Sequence, residues 1–131
     1  MNWHAGNAFC SQKGGYLAVI TSESENDFIK AKFTSSISNH GTWLGGSDEA
    51  TEGTWKWVDN EKWSYSKWSV PEPNNMYFEI TPQAGPSTLP DYAKGEHYLM
   101  IWKNGLWNDG MSVNRGTYNY QPMSSLCEFE L

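Results

Sequence analysis

The stretch Thr42-Trp43-Leu44 marks the point where the sequence changes from helical to extended patterns. Before it, apolar residues recur at helical spacing, whereas after it short runs rich in Trp, Val and Ile alternate with long polar loops. Such runs, bounded by turn residues, are typical of strands. We predict strands over Thr42–Leu44, Trp55–Val58, Tyr98–Trp102 and Leu126–Leu131.

Two helices are predicted ahead of this stretch. The first spans Trp3 to Gln12 and ends at Gly14-Gly15, because glycine tolerates the positive φ of a helix C-terminus. After a short strand at Tyr16–Val19, the second helix spans about Glu23 to Phe33. Its start, Ser22-Glu23-Ser24-Glu25, has the spacing of a capping box. Two helices followed by a loop-rich antiparallel sheet predict an α+β fold.

The chain has 131 residues, the size of one ordinary domain. We therefore predict a single domain over residues 1–131. One segment, residues 76–95, contains Pro82, Pro86 and Pro90, which is too much proline for a central strand or a helix. We predict that this segment is a long loop insertion.

Composition excludes two classes of partner. The net charge is −6 and the isoelectric point is about 4.9, whereas binding to a phosphate backbone draws on clustered Lys and Arg. We expect no nucleic-acid partner. No apolar run approaches the roughly 20 residues that span a bilayer, so we also expect no membrane insertion.

The two cysteines, Cys10 and Cys127, lie at opposite ends of the chain. A disulfide between them would close nearly the whole chain and would indicate an oxidising compartment. The alternative is two buried free thiols. With the disulfide, we expect an extracellular or cell-surface protein, excised from a longer secreted chain.

Three short segments, 71–75, 95–97 and 107–109, concentrate carboxylate and amide side chains without any thiol. Calcium takes about six to eight oxygen ligands, whereas zinc prefers nitrogen and sulfur. The amides add ligands without charge, which leaves room for a neutral ligand with neighbouring hydroxyls, such as a sugar. The candidate ligands of calcium and of the sugar are Glu72, Asn74, Glu96, Asn108 and Asp109.

The chain resembles a C-type lectin-like domain along nearly its whole length. The matching features, in chain order, are Cys10, Gly14-Gly15-Tyr16-Leu17, Trp43-Leu44-Gly45-Gly46, Glu72-Pro73-Asn74, Trp107-Asn108-Asp109 and Cys127-Glu128-Phe129. The resemblance implies the C-type lectin fold, with a long loop region that binds calcium through the five candidate ligands. It further implies a cis bond before Pro73 and a preference for mannose, glucose, fucose or N-acetylglucosamine over galactose.

A second, auxiliary calcium site is also implied by the resemblance. Its ligands would be Asp48, Glu52, Asn75 and Glu96, although His97 stands where mannose-binding members of the family place an aspartate. The alternative is that Asp48 and Glu52 are solvated loop carboxylates.

The functional expectation is therefore calcium-dependent binding of glycans or glycoproteins. The alternative is a domain of the same fold that binds protein, as an adhesin, or ice, with calcium only stabilising its loops. We do not expect an enzyme, because carboxylates bound to calcium are held ionised and are poor general acids. The sequence contains no heptad repeat, so it does not predict an oligomeric state.

Overall fold

The computed structural model describes residues 2–37, 41–74, 95–111 and 124–130. Nearly all of the predicted insertion at 76–95 lies outside the described residues, and so does Asn75.

Both predicted helices are confirmed with the predicted bounds. Helix α1 spans Trp3–Gln12, and helix α2 spans Glu23–Phe33. The Ser22 hydroxyl accepts from the Glu25 N–H, as the capping box predicts. Helix α1 ends before Gly14, whose φ of 88° favours glycine.

Seven short strands accompany the helices. In chain order they are β1 (Tyr16–Leu17), β2 (Thr42–Ser47), β3 (Lys56–Trp57), β4 (Tyr98–Ile101), β5 (Trp107–Gly110), β6 (Ser124–Ser125) and β7 (Cys127–Glu128). The prediction was wrong about several strand ends, since β2 continues to Ser47 and β7 covers only part of Leu126–Leu131. It also missed β5 and β6, because Trp-Asn-Asp-Gly and Ser-Ser lack the β-branched residues that mark a strand.

The strands form two sheets. One pairs β1 with β7, and the other has the order β3-β2-β4-β5, with β6 parallel to β2. Close packing of β2 against β1 requires a small residue at Gly45, where a Cβ atom would lie 2.5 Å from the Leu17 carbonyl oxygen. The predicted α+β fold is confirmed, except that β6 adds one parallel pairing to the predicted antiparallel sheet.

The core lies on both faces of the larger sheet and is largely aromatic. Trp43 and Trp107 are fully buried on β2 and β5, and Trp57 is 2% exposed. The Trp57 and Trp63 rings stack with centroids 4.4 Å apart. These tryptophans support the sheet from within, so they are not a surface for sugar stacking.

A disulfide joins Cys10 on α1 to Cys127 on β7 and confirms the predicted pairing over free thiols. The bond closes a loop of 117 residues. In the chain-entropy model, closing a loop of this length stabilises the fold by about 4 to 5 kcal/mol. It therefore links helix α1 covalently to strand β7.

A buried side-chain bridge connects α2 to β5. Asn26, which is 1% exposed, donates from Nδ2 to the Gly105 carbonyl at 2.8 Å. Its Oδ1 atom accepts from the Trp107 indole N–H, also at 2.8 Å. The bridge satisfies three buried polar groups and orients the turn that leads into β5.

We predict that Asn26→Ala lowers the free energy of unfolding by about 2 to 3 kcal/mol, because the Trp107 N–H and the Gly105 carbonyl lose a buried partner. Urea denaturation measures the change. The matched control is Asp27→Ala at the next, exposed position of the helix, which should shift stability by less than about 0.5 kcal/mol. Equal effects of the two substitutions would contradict the role of the bridge.

Candidate metal centre

Strand β5 carries two of the candidate ligands, Asn108 and Asp109, and is hydrogen-bonded along both edges. On one edge it pairs with β4, with Asp109 opposite Leu99. On the other edge the Trp107 N–H donates to the Lys67 carbonyl at 2.8 Å, and the Ser69 N–H donates to the Trp107 carbonyl at 2.9 Å. This second pairing directs the following residues, 70–74, along the side of β5.

The structure brings Glu72, Asn74 and Asp109 together. The Asn74 backbone N–H donates to Asp109 Oδ1 at 3.2 Å. Burial, and then the nearby Asp109 carboxylate, raise the pKa of Glu72 above its ordinary value. The Glu72–Pro73 bond is cis, as predicted, and the Val70–Pro71 bond is cis as well, which the sequence analysis did not predict.

Two oxygens of the predicted site are buried without a hydrogen-bond donor among the described residues. These atoms are Glu72 Oε1 and Asn108 Oδ1. A buried acceptor without a partner costs about 1 to 3 kcal/mol, and more when it is charged. Carboxylate and amide oxygens of this kind are ligands that calcium takes, so the chemistry of these side chains fits an oxygen-binding cation.

Glu96 lies at the same end of the sheet. It is 6% exposed and lies two residues before β4. The N–H of the neighbouring His97 donates to the carbonyl of Gly110, at the end of β5, at 3.1 Å. Contacts therefore join three of the five predicted ligands, Glu72, Asn74 and Asp109. Asn108 precedes Asp109 on β5, Glu96 is placed near the end of β5 only through its neighbour His97, and the five-residue ligand set stays a prediction.

A second cluster contains Asp48, Glu52 and His97. His97 Nδ1 lies 2.9 Å from Asp48 Oδ1 and 3.1 Å from Glu52 Oε2. The side chain of His97, which the sequence analysis noted only as a departure from aspartate, thus bridges two of the predicted auxiliary ligands. Asn75 is not described, and the auxiliary calcium site stays a prediction.

The two carboxylates of this cluster differ in acidity. Burial alone would raise the pKa of Asp48, but hydrogen bonds from His97 and from the Gly53 N–H outweigh it and hold that pKa below its ordinary value. Burial and the adjacent Asp48 carboxylate raise the pKa of Glu52. Asp48 is therefore the more acidic of the two carboxyl groups.

No helix in the described part of the chain is both long and apolar enough to cross a membrane.

Comparison with known proteins identifies the family. The protein-family model of the Lectin C-type domain matches residues 1–111. The perlucin-like protein of Mytilus galloprovincialis is 41% identical over 76 residues, which cover 56% of this chain and 49% of that protein. The chain belongs to the C-type lectin domain family, which is a family of non-enzymatic domains, and this agrees with the expectation that it is not an enzyme.

Solved structures agree with this assignment. The carbohydrate-recognition domain of cow CD23, determined in the presence of a GlcNAc2Man3 oligosaccharide, has a TM-score of 0.72 and 26% identity, and the match covers 100% of this chain and 82% of that one. A calcium-independent type II antifreeze protein has a TM-score of 0.64 and 24% identity, and the match covers 97% of this chain and 77% of that one. This second likeness concerns the fold alone.

The chain spans at most about half the length of the first curated relatives it matches, with 49% as the largest share. The activities of those whole proteins therefore do not transfer directly to it.

We predict that Glu72→Gln raises the melting temperature of the calcium-free protein at neutral pH, because the substitution removes a partly buried negative charge beside Asp109. A carboxyl whose pKa is raised by folding stabilises the fold while protonated and loses that contribution as pH rises through the folded pKa. The advantage of the variant should therefore shrink as the pH falls toward about 4, where wild-type Glu72 is protonated.

Thermal denaturation in excess chelator measures this difference. Glu130→Gln, at an exposed position, serves as the control and should leave the melting temperature unchanged. A lower melting temperature for Glu72→Gln in chelator at neutral pH would be inconsistent with charge crowding at the site.

Proposed function

We propose that the chain is a calcium-dependent carbohydrate-binding domain. The proposal treats residues 1–131 as one recognition domain with a loop insertion at about 76–95. It assigns the calcium ion and the sugar to the same five side chains, which are Glu72, Asn74, Glu96, Asn108 and Asp109.

Two buried acceptors that have no hydrogen-bond partner within the described part of the chain carry this proposal. Glu72 Oε1 and Asn108 Oδ1 come from separate segments of the chain, and both belong to the predicted ligand set. Asp109 is fully buried and adjacent to both segments through its contact with Asn74 and its position after Asn108. Such a concentration of desolvated oxygens favours a bound cation over a purely structural role.

The protein groups contribute complementary hydrogen bonding to a sugar. If calcium is bound, two neighbouring hydroxyl oxygens of a sugar can complete the coordination shell of the ion. The Glu72 carboxylate can accept from one hydroxyl, while the Asn74 amide can donate to the other on the opposite side of Pro73. The three carboxylates of the set exceed the charge of the ion by one, so the site favours a neutral ligand over an anion.

The order of acid and amide in Glu72-Pro73-Asn74 supports a preference for mannose-type sugars. This order resembles that of mannose-binding members of the family, so we assign mannose, glucose, fucose and N-acetylglucosamine as the preferred class over galactose. The partners are glycans or glycoproteins. The Cys10–Cys127 disulfide supports action outside the cell, where such bonds persist.

Calorimetric titration with monosaccharides tests the proposed function. We expect heat of binding from mannose in the presence of calcium, little from galactose, and none from either sugar in excess chelator. Calcium binding without any response to sugars would favour the protein-binding or ice-binding alternative and would overturn the proposal.

Exchanging the acid and the amide tests the ligand assignment. We predict that Glu72→Gln combined with Asn74→Asp shifts preference from mannose toward galactose, because it reverses donor and acceptor beside the ion. The control exchanges an exposed neighbouring pair, Asn60→Asp with Glu61→Gln, and should leave preference unchanged. A sugar array compares the three proteins, and an unaltered mannose preference in the site variant would exclude this assignment.

A further inference from the structure

We propose that Asp48, Glu52 and His97 form a second metal site that takes zinc rather than calcium. The site lies where the sequence resemblance implies an auxiliary calcium, but its ligand set differs from the predicted one by the inclusion of an imidazole nitrogen. The proposal does not depend on sugar binding.

The ligand atoms are already close to zinc-binding separation. One atom from each of the three side chains lies within 4.8 Å of the other two. The two measured nitrogen-to-oxygen distances are 2.9 Å and 3.1 Å. Ligands in a tetrahedral zinc shell are separated by about 3.4 Å, given bond lengths of about 2.0 to 2.2 Å. Insertion of the ion therefore requires an opening of only a few tenths of an ångström.

Sheet pairing holds two of the ligands in place. Asp48 directly follows β2 and His97 directly precedes β4, and the last β2 residue, Ser47, pairs with the first β4 residue, Tyr98. The Asp48 N–H also donates to the His97 carbonyl at 3.1 Å. A metal site on paired strands loses little conformational freedom when the ion binds.

A neighbouring backbone group orients the buried carboxylate. The Gly53 N–H donates to Asp48 Oδ2 at 2.9 Å, so Oδ1 faces His97. Gly53 has a φ of 82°, a conformation that favours glycine, and the turn it forms carries Glu52 as well. Outer hydrogen bonds of this kind fix ligand orientation in metal sites.

Burial is graded across the cluster. The Asp48 and His97 side chains are 2% and 11% exposed, whereas the Glu52 side chain is 53% exposed. The cluster thus has a buried base and an open side through which an ion and a fourth ligand, such as water, can enter. Two ionised carboxylates and one neutral imidazole together carry a double negative charge, which a dication neutralises.

The nitrogen ligand decides between the two metals. Calcium binds through oxygen, whereas imidazole nitrogen and carboxylate oxygen together suit zinc. The competing interpretation is that protonated His97 acts as the internal cation of this cluster and that no metal binds there.

Zinc titration in the presence of saturating calcium tests the proposal, because calcium then occupies the other candidate site. Native mass spectrometry and calorimetry should detect one zinc per wild-type chain. His97→Gln should weaken zinc binding by at least about 100-fold, since loss of even an outer-shell partner costs about 10- to 100-fold. Glu52→Gln, at an exposed position, should weaken it without disturbing the fold.

The matched control is His4→Gln. His4 Nε2 also lies 3.1 Å from a carboxylate, that of Glu49, but in a pair that is more exposed. This variant should keep zinc affinity unchanged. Cobalt provides a spectroscopic check, since replacement of zinc by cobalt in wild-type protein should give the visible absorption of a four- or five-coordinate ion, and Glu52→Gln should alter it.

Failure of the wild-type protein to bind zinc would overturn the proposal in favour of the internal ion pair. Equal zinc affinity in wild type and in a folded Glu52→Gln variant would also overturn it, because the ion would then lie elsewhere. If His97→Gln does not fold, the Glu52→Gln affinity and the cobalt spectrum decide the outcome.

Discussion

Strand β5 is hydrogen-bonded along both of its edges, and this pairing positions the candidate metal centre. A four-residue strand of Trp, Asn, Asp and Gly has little intrinsic preference for extended structure, yet it is fully buried. Its conformation comes from β4 on one side, the segment around Trp68 on the other, and the Asn26 bridge to the Trp107 indole. These contacts set Asn108 and Asp109 in the core, where solvent cannot satisfy their side chains.

The candidate metal centre is built at a cost in stability. Polar and acidic side chains with desolvated oxygens normally destabilise a fold. Glu72 and Asn108 each contribute a buried acceptor for which residues 2–37, 41–74, 95–111 and 124–130 supply no donor. The aromatic core beneath β5 and the disulfide between the ends of the chain offset that cost. The stability of the core and of the disulfide thus allows the fold to keep polar side chains that destabilise it. Such a trade between stability and function is common at functional sites.

Membership of the C-type lectin domain family does not by itself determine the ligand. The fold of this chain is shared with a domain studied with an oligosaccharide and with a calcium-independent antifreeze protein. What distinguishes such proteins is the chemistry of a few loop and strand-end side chains. In this chain those side chains form two clusters, one of oxygens around Asp109 and one that includes the imidazole of His97.

Much of this protein was determined by sequence alone. Both helices follow from capping residues and apolar spacing, and the order of the motifs indicated the family, the disulfide and the cis bond before Pro73. These features depend on local chemistry or on short motifs that are recognisable without coordinates. Strand β5 and the bridge formed by Asn26 were not predictable, because a polar strand and a buried amide have no distinctive local pattern.

Strand pairing, which no local pattern in the sequence reveals, determines which of the candidate ligands are neighbours. Glu72 and Asp109 are 37 positions apart in the sequence, and the pairing of 67–69 with β5 is what makes them neighbours. The same holds for His97 and Asp48, which the register of β2 and β4 places side by side. The sequence determined the inventory of ligands, while strand pairing decided their grouping, because hydrogen-bonded register relates residues that no local spacing connects.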